Sequence, residues 1–160
     1  MEKREKIIEN LIKTLSIRNQ TVSFAESCTG GRIAAAFTAV SGSSAIFHGS
    51  CITYANQIKE QWLKVPKAIL ETKGAVSQEC VKYMLKGMEK MAGSDYTLAV
   101  SGIAGPTGGT ELKPVGTVYI GVRTPDGENE VHHCLFKGDR DQIQDQATSF
   151  AIELLAKHIN

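Results

Sequence analysis

The 160-residue sequence lacks a long apolar run, an excess of one charge and any CxxC cysteine pair. No stretch approaches the roughly 20 apolar residues that a membrane-spanning helix needs. The 18 basic and 17 acidic residues leave a net charge of +1, which provides no whole-surface attraction to nucleic acid or to an anionic membrane. We therefore expect neither a nucleic-acid partner nor a membrane partner.

The start of the chain also lacks the apolar segment of a signal peptide, because MEKREKIIENLIKTL is charged and amphipathic. The four cysteines (Cys28, Cys51, Cys80 and Cys134) do not have the spacing of a zinc site or a redox pair. These features predict a cytoplasmic protein with free thiols, no metal site and no cofactor.

Helical and strand-like segments alternate along most of the chain. Apolar residues recur at helical spacing from Lys3 to Ile17, and TVSFA, GSCITYA and YTLAVSGIAG have the composition of strands. PVGTVYIGVRT and NEVHHCLF, joined by a turn that contains Asp126 and Gly127, predict a hairpin. This order predicts a single α/β domain over residues 1–160, with a largely parallel, helix-flanked sheet and an antiparallel hairpin at one edge.

Two of the predicted strands end in glycine-rich loops. ESCTGGR contains Gly30 and Gly31, and SGIAGPTGG contains Gly102 and Gly105. Ligands of open α/β sheets bind where strands lead into helices, and backbone N–H groups at a helix N-terminus favour an anion. Neither loop matches a P-loop or a dinucleotide fingerprint. Either loop alone is equally compatible with a simple turn, but the pair predicts an anion site, with phosphate as its ligand.

Ser27 and the neighbouring Cys28 are the candidate nucleophiles in the first loop. A serine needs a partner that accepts its proton, and the four histidines are poorly placed for that role. Lys59, which follows the strand ending near Tyr54, is a better candidate. A lysine desolvated in a pocket has a lowered pKa, and Ser-Lys pairs are a known variation on the serine triad. The alternative is that Lys59 is a solvated surface lysine.

Two further charged residues have open interpretations at this stage. Arg140, near the start of the last helix, is either a clamp for a phosphate or an exposed arginine. Glu26 is either a buried carboxylate that fixes the first glycine loop or an accessory acid.

Five segments occur in the order, and at about the spacing, of the CinA carboxy-terminal domain family: AESCTGGRIA, GSCITYANQIK, KGAVSQE, VSGIAGPTGGTELKPVGTVYIGV and FKGDR. The chain resembles this family from its first strand to its last helix. The resemblance implies a three-layer helix–sheet–helix fold, a cytoplasmic homodimer and a nicotinamide-nucleotide amidase. Such enzymes convert nicotinamide mononucleotide to nicotinate mononucleotide and ammonia without a metal, in pyridine-nucleotide salvage.

The resemblance also implies roles for individual residues. The family's catalytic serine matches Ser27, its catalytic lysine matches Lys59, and Tyr54 matches a tyrosine of the same motif. The expected substrate-binding residues come from the two glycine loops and the last helix: Thr29, Gly30, Gly31, Ser101, Gly102, Gly105 and Arg140.

Two positions depart from the family pattern. Lys73 stands in KGAVS where the family often has a histidine, and Gln144 follows GDR where an arginine is common. These departures leave two alternatives beside the amidase. One is a nucleotide-binding, regulatory homologue with weak or no catalysis, and the other is an amidase for a related small phosphorylated amide.

Overall fold

The structure is a computed structural model, and it describes residues 2–160. The helices of these residues are α1 (Glu2–Arg18), α2 (Arg32–Thr38), α3 (Asn56–Leu63), α4 (Lys67–Thr72), α5 (Gln78–Ala92) and α6 (Arg140–Ile159), with a short 3-10 helix at Ser43–Ala45. The strands are β1 (Val22–Glu26), β2 (Phe47–Ile52), β3 (Tyr96–Gly102), β4 (Thr117–Arg123) and β5 (Asn129–Leu135).

The strands form one mixed sheet in the order β2-β1-β3-β4-β5. Strand β1 lies between β2 and β3 and is parallel to both, whereas β4 is antiparallel to β3 and to β5. The antiparallel hairpin therefore extends one edge of a parallel core, which confirms the predicted arrangement. Because β1 and β2 are parallel neighbours, the loops that follow them leave the same edge of the sheet.

Helices cover both faces of the sheet. On one face α1, α2 and α6 pack together, and on the other α5 packs with α3 and α4. Phe24 of β1 packs against Phe37 of α2 on the first face, with ring centroids 4.8 Å apart. Ala25 and Ala99 point to the second face, towards buried side chains of α5. The α/β class and the three layers are thereby confirmed.

The packing of α3 against α5 fixes the helix that carries Lys59. Gly87 of α5 lies so close to Leu63 of α3 that a Cβ atom at position 87 would overlap the Leu63 carbonyl oxygen. Helix α3 ends at Leu63, and α4 begins at Lys67, directly after Pro66. The fixed φ of proline suits the start of a helix, so Pro66 separates two helices rather than ending the helical segment.

None of the helices between residues 2 and 160 has both the length and the apolar character that crossing a bilayer requires.

Candidate active site

Ser27 is the first residue after β1 and lies at the carboxyl edge of the sheet. Its backbone N–H donates to the carbonyl oxygen of Val100 in β3 at 3.1 Å. On the other side, the N–H of Thr53 donates to the carbonyl oxygen of Glu26 at 2.8 Å. The ends of three parallel strands are thus joined beside Ser27, whose own exposure is 6%.

Lys59 is buried against this junction, with an exposure of 1%. Lysine is almost never fully buried without a partner that compensates its charge. The Nζ atom lies 2.9 Å from Ser27 Oγ, 2.8 Å from the carbonyl oxygen of Thr53 and 2.9 Å from that of Tyr54. No ion pair among residues 2–160 includes Lys59. The structure therefore excludes the solvated surface lysine.

Burial lowers the pKa of Lys59, because an ammonium group loses its hydration when it is buried. A neutral amine has two N–H groups and one lone pair. The two N–H groups match the carbonyl oxygens of Thr53 and Tyr54, which leaves the lone pair for the hydroxyl proton of Ser27. After proton transfer, the three N–H groups of the ammonium match the same three oxygen atoms. The arrangement therefore suits a lysine that accepts a proton from Ser27.

Cys28 is a poor competitor for the role of nucleophile. Burial raises the pKa of its thiol to about 12, so the thiol stays protonated near neutral pH. Only the thiolate is strongly nucleophilic. The Cys28 side chain belongs to the hydrophobic core on the α2 face, so we assign it a packing role.

A cavity of about 130 Å³ opens beside Ser27 and Lys59. Its wall contains Ser27, Cys28, Tyr54, Asn56, Lys59, Ala75, Val76, Ser101, Gly102, Ala104 and Arg140. The structure thus brings together the three expected catalytic residues and three of the expected binding residues. The Ser101 hydroxyl makes no hydrogen bond with another described residue, although Ser101 is buried, so it is available to a ligand.

Arg140 reaches the same cavity from the start of α6. Its guanidinium donates to the carbonyl oxygen of Gly105 at 2.6 Å and to the hydroxyl of Tyr54 at 3.1 Å. Gly105 does not line the cavity, so its role here is to hold Arg140. No carboxylate in the described part of the chain pairs with Arg140. The cavity therefore carries an uncompensated positive charge that suits an anionic ligand.

The first glycine loop does not form the phosphate site that its sequence suggested. The anion at the N-terminus of α2 is the carboxylate of Glu26, which is fully buried. It accepts hydrogen bonds from the N–H groups of Gly31, Ile33 and Ala34 at 3.2, 3.0 and 3.0 Å. Of the two interpretations of Glu26, the buried carboxylate that fixes the loop is the one that the structure supports.

Three of the expected binding residues make their hydrogen bonds within this loop. Thr29 is fully buried, and its hydroxyl donates to Glu26 at 2.7 Å. The N–H of Gly30 donates to the carbonyl oxygen of Ser27 at 3.0 Å, and that of Gly31 donates to Glu26. None of the three lines the cavity. The Thr29 hydroxyl and the N–H groups of Gly30 and Gly31 are therefore engaged within the loop.

The two departures from the family pattern also lie outside the cavity wall. Gln144 is buried in α6, and its Nε2 donates to the carbonyl oxygen of Cys28 at 2.9 Å. The Nζ of Lys73 lies 4.0 Å from a carboxylate oxygen of Glu79, at the surface. Gln144 therefore binds the backbone of the nucleophile loop from α6, outside the cavity.

The sequence did not predict the part of the wall formed by Asn56, Ala75, Val76 and Ala104. One feature of the sequence could have indicated Asn56, since it lies in the same YANQIK segment as Tyr54. The apolar residues had none.

Comparison with known proteins places the chain among relatives with the same domain. A family model described as the CinA C-terminal domain matches residues 4–159. A CinA-like protein of Fervidobacterium nodosum is 46% identical over 99% of this chain, which spans 38% of that protein. The nicotinamide-nucleotide amidohydrolase PncC of Escherichia coli K12 is 44% identical over 92% of this chain and 89% of its own length.

Solved structures show the same fold. The competence/damage inducible protein CihA of Agrobacterium tumefaciens is 35% identical, with a TM-score of 0.94 over 96% of this chain and 94% of that one. A CinA superfamily protein of Klebsiella pneumoniae is 33% identical, with a TM-score of 0.92 over 98% of this chain and 97% of that one. The match covers nearly the whole chain in sequence and in structure, and the chain belongs to the CinA C-terminal domain family.

Proposed function

We propose that this protein hydrolyses the carboxamide of nicotinamide mononucleotide, giving nicotinate mononucleotide and ammonia in pyridine-nucleotide salvage. The observation that carries the proposal is the 2.9 Å separation between Ser27 Oγ and the buried Lys59 Nζ in a cavity. The choice of substrate is supported by the family resemblance and by the relative of E. coli that is named a nicotinamide-nucleotide amidohydrolase. The chain spans only 38% of its CinA-like relative from Fervidobacterium, so the activity is proposed for this domain alone.

In the first step, Ser27 Oγ attacks the carboxamide carbon while Lys59 takes the hydroxyl proton. The carbonyl oxygen of the substrate becomes an oxyanion, which requires hydrogen-bond donors at fixed positions. The backbone N–H of Cys28 directly follows the nucleophile, a common place for such a donor. It donates to no other residue of the described chain, so we assign it to the oxyanion.

In the second step, the Lys59 ammonium returns the proton to the leaving nitrogen, and ammonia departs as the C–N bond breaks. This leaves the acyl group as an ester on Ser27 and a neutral amine on Lys59. The amine then takes a proton from water, whose oxygen attacks the ester carbon, and the same proton returns to Ser27 Oγ. The free carboxylate product leaves, and both side chains are restored.

The size of the cavity indicates how a nucleotide is oriented. Sites that enclose a drug-sized ligand have about 300–1,000 Å³, whereas this cavity has about 130 Å³. It therefore accommodates the carboxamide-bearing ring and leaves the phosphate at the mouth. Tyr54, at the mouth, is 61% exposed and is hydrogen-bonded to Arg140. We assign the phosphate to Arg140.

Replacing Arg140 with methionine is expected to raise the KM for nicotinamide mononucleotide by about 10- to 100-fold, because a hydrogen bond to a charged group contributes about 1.5–3 kcal/mol. The effect on kcat should be much smaller, since Arg140 is hydrogen-bonded to neither Ser27 nor Lys59. Steady-state kinetics check this split, with Arg18→Met as the control for an exposed arginine on α1. An unchanged KM would remove Arg140 from the phosphate site.

The rate is expected to depend on pH through Lys59. The amine must be neutral to accept a proton, so kcat/KM should rise with pH. Activity should be lost as the pH falls through the pKa of Lys59 in the folded protein. Because burial lowers the pKa of Lys59, this transition should lie below roughly 10.4, the ordinary value for lysine. A profile of kcat/KM against pH measures the transition in the free enzyme. A rate that is highest at low pH would contradict a neutral lysine base.

The activity itself is tested by ammonia release from nicotinamide mononucleotide, with and without a metal chelator. Equal release in both conditions is the expected result. Loss of release with the chelator would contradict a metal-independent mechanism. Tight binding of the nucleotide without release would favour the alternative of a non-catalytic, regulatory homologue. Release from other phosphorylated amides, but not from this one, would identify a related amidase.

The homodimer stays a prediction that rests on the family resemblance, and the cytoplasmic setting stays a prediction that rests on the resemblance and on the sequence features described above.

A further inference from the structure

We infer that Glu26 is a positioning residue for the nucleophile, and that its buried carboxylate holds the loop 27–31 in the shape that presents Ser27 to Lys59. The inference rests on the proposed function only in taking Ser27 as the nucleophile. Glu26 does not line the cavity, so it acts through the loop and not on a substrate.

The carboxylate of Glu26 is satisfied entirely by uncharged donors. It accepts from the Thr29 hydroxyl and from the N–H groups of Gly31, Ile33 and Ala34, and it has a longer contact with the Ser50 hydroxyl at 3.3 Å. No lysine or arginine of residues 2–160 forms an ion pair with it. Burying a charge is costly unless hydrogen bonds and nearby dipoles compensate it. Here the N-terminus of α2 supplies both.

These hydrogen bonds fold the loop around the carboxylate. The N-cap of α2 is Gly31, which has no side chain to cap the helix. Glu26 reaches from the end of β1 to perform that role, so the chain must turn back within the intervening residues. The N–H of Gly30 closes the turn by donating to the carbonyl oxygen of Ser27. Ser27 is therefore held between a strand end and a helix start that share one carboxylate.

Glu26 is also connected to the base. Its carbonyl oxygen accepts from the N–H of Thr53 at 2.8 Å, and the carbonyl oxygen of Thr53 lies 2.8 Å from Lys59 Nζ. One residue thus connects the nucleophile loop with the segment that holds the lysine. Because a misplacement of about 1 Å can lower a rate by about 100-fold, this connection has consequences for catalysis.

A glutamine at position 26 would keep the shape of the side chain but lose part of its pattern of acceptors. One oxygen would be replaced by an NH₂ group. Depending on its orientation, this group would face the N–H of Ala34 or the N–H groups of Gly31 and Ile33, and two donors cannot form a hydrogen bond with each other. We expect Glu26→Gln to shift the loop and lower kcat by at least about tenfold. KM should change by less than about threefold, because Arg140, to which we assign the phosphate, lies outside this loop.

The nucleophile can be tested without the proposed substrate, by its modification with phenylmethanesulfonyl fluoride. Ser27 Oγ would displace fluoride from the sulfonyl sulfur and lose its proton to Lys59, leaving a sulfonate ester that mass spectrometry detects. We expect modification of the wild type at Ser27, at least about tenfold slower modification of Glu26→Gln, and an unchanged rate in Thr38→Ala. Thr38 is an exposed residue at the end of α2, the helix whose N-terminus Glu26 caps, and serves as the control.

A second variant keeps the inference testable if Glu26→Gln fails to fold. Thr29→Val preserves the shape of the side chain and the charge of Glu26 but removes one donor, and we expect it to slow modification by about threefold or more. Equal rates in the wild type and both folded variants would overturn the positioning role and leave the proposed function intact. If the wild type is neither modified nor able to release ammonia, the nucleophile assignment fails, and the positioning role fails with it.

Discussion

Replacing Ser27 with alanine is expected to lower ammonia release from nicotinamide mononucleotide by at least about 1,000-fold, because Ser27 carries the one described hydroxyl that is hydrogen-bonded to Lys59 Nζ. The fold should persist, since the substitution removes one hydroxyl and leaves Lys59 with two carbonyl acceptors. Nucleotide binding should also persist, because Arg140 is unaffected. The measurements are single-turnover ammonia release and calorimetric binding of the nucleotide.

Cys28→Ala is the variant that separates the two candidate nucleophiles. With a thiol pKa of about 12, Cys28 should not support the reaction, and Cys28→Ala should keep releasing ammonia. Normal turnover by Ser27→Ala, together with its loss in Cys28→Ala, would reverse the assignment.

Replacing Lys59 with methionine is expected to lower kcat by about 100- to 10,000-fold, the usual contribution of a general acid–base group. Methionine has a similar length but cannot accept the proton of Ser27. The carbonyl oxygens of Thr53 and Tyr54 would each lose a donor, at a cost of about 1–3 kcal/mol for each unsatisfied group. Removing a buried amine offsets part of that cost. Thermal unfolding measured beside the kinetics separates loss of fold from loss of the base.

Two other substitutions make the Lys59 result specific. Lys59→Arg keeps a positive charge but no neutral form near physiological pH, so it should be as inactive as Lys59→Met. Lys64→Met changes an exposed lysine at the end of the same helix and should leave kcat unchanged. A Lys59→Arg variant with nearly full activity would show that Lys59 acts as a charge and not as a base.

The two glycine loops lie where the sequence predicted, but the first one binds a different anion from the predicted one. The pattern of residues placed both loops correctly at strand ends, and Ser27 and Ser101 do meet in one cavity. The sequence pattern predicted a ligand phosphate at the start of α2, whereas the structure has the Glu26 carboxylate there. Glu26 lies five to eight positions before the backbone amides that it binds, a spacing with no periodic signature, so only its rotamer and burial reveal the contact. For Arg140 the sequence left two alternatives, a phosphate clamp or an exposed arginine. Its hydrogen bond to Tyr54 places it at the cavity and favours the clamp.

The sequence by itself determined most of the order of helices and strands and the edge hairpin, and it named Ser27 and Lys59 as candidate reactive side chains. These features follow from local periodicity, turn residues and short motifs, which need only neighbours along the chain. The tertiary structure alone decided that Lys59 is buried and that its Nζ meets Ser27 Oγ across 32 positions of sequence. The burial of Lys59, which lowers its pKa, depends on β2 pairing with β1 and on α3 packing against α5. These contacts join residues far apart in the sequence, so no local sequence pattern predicts them.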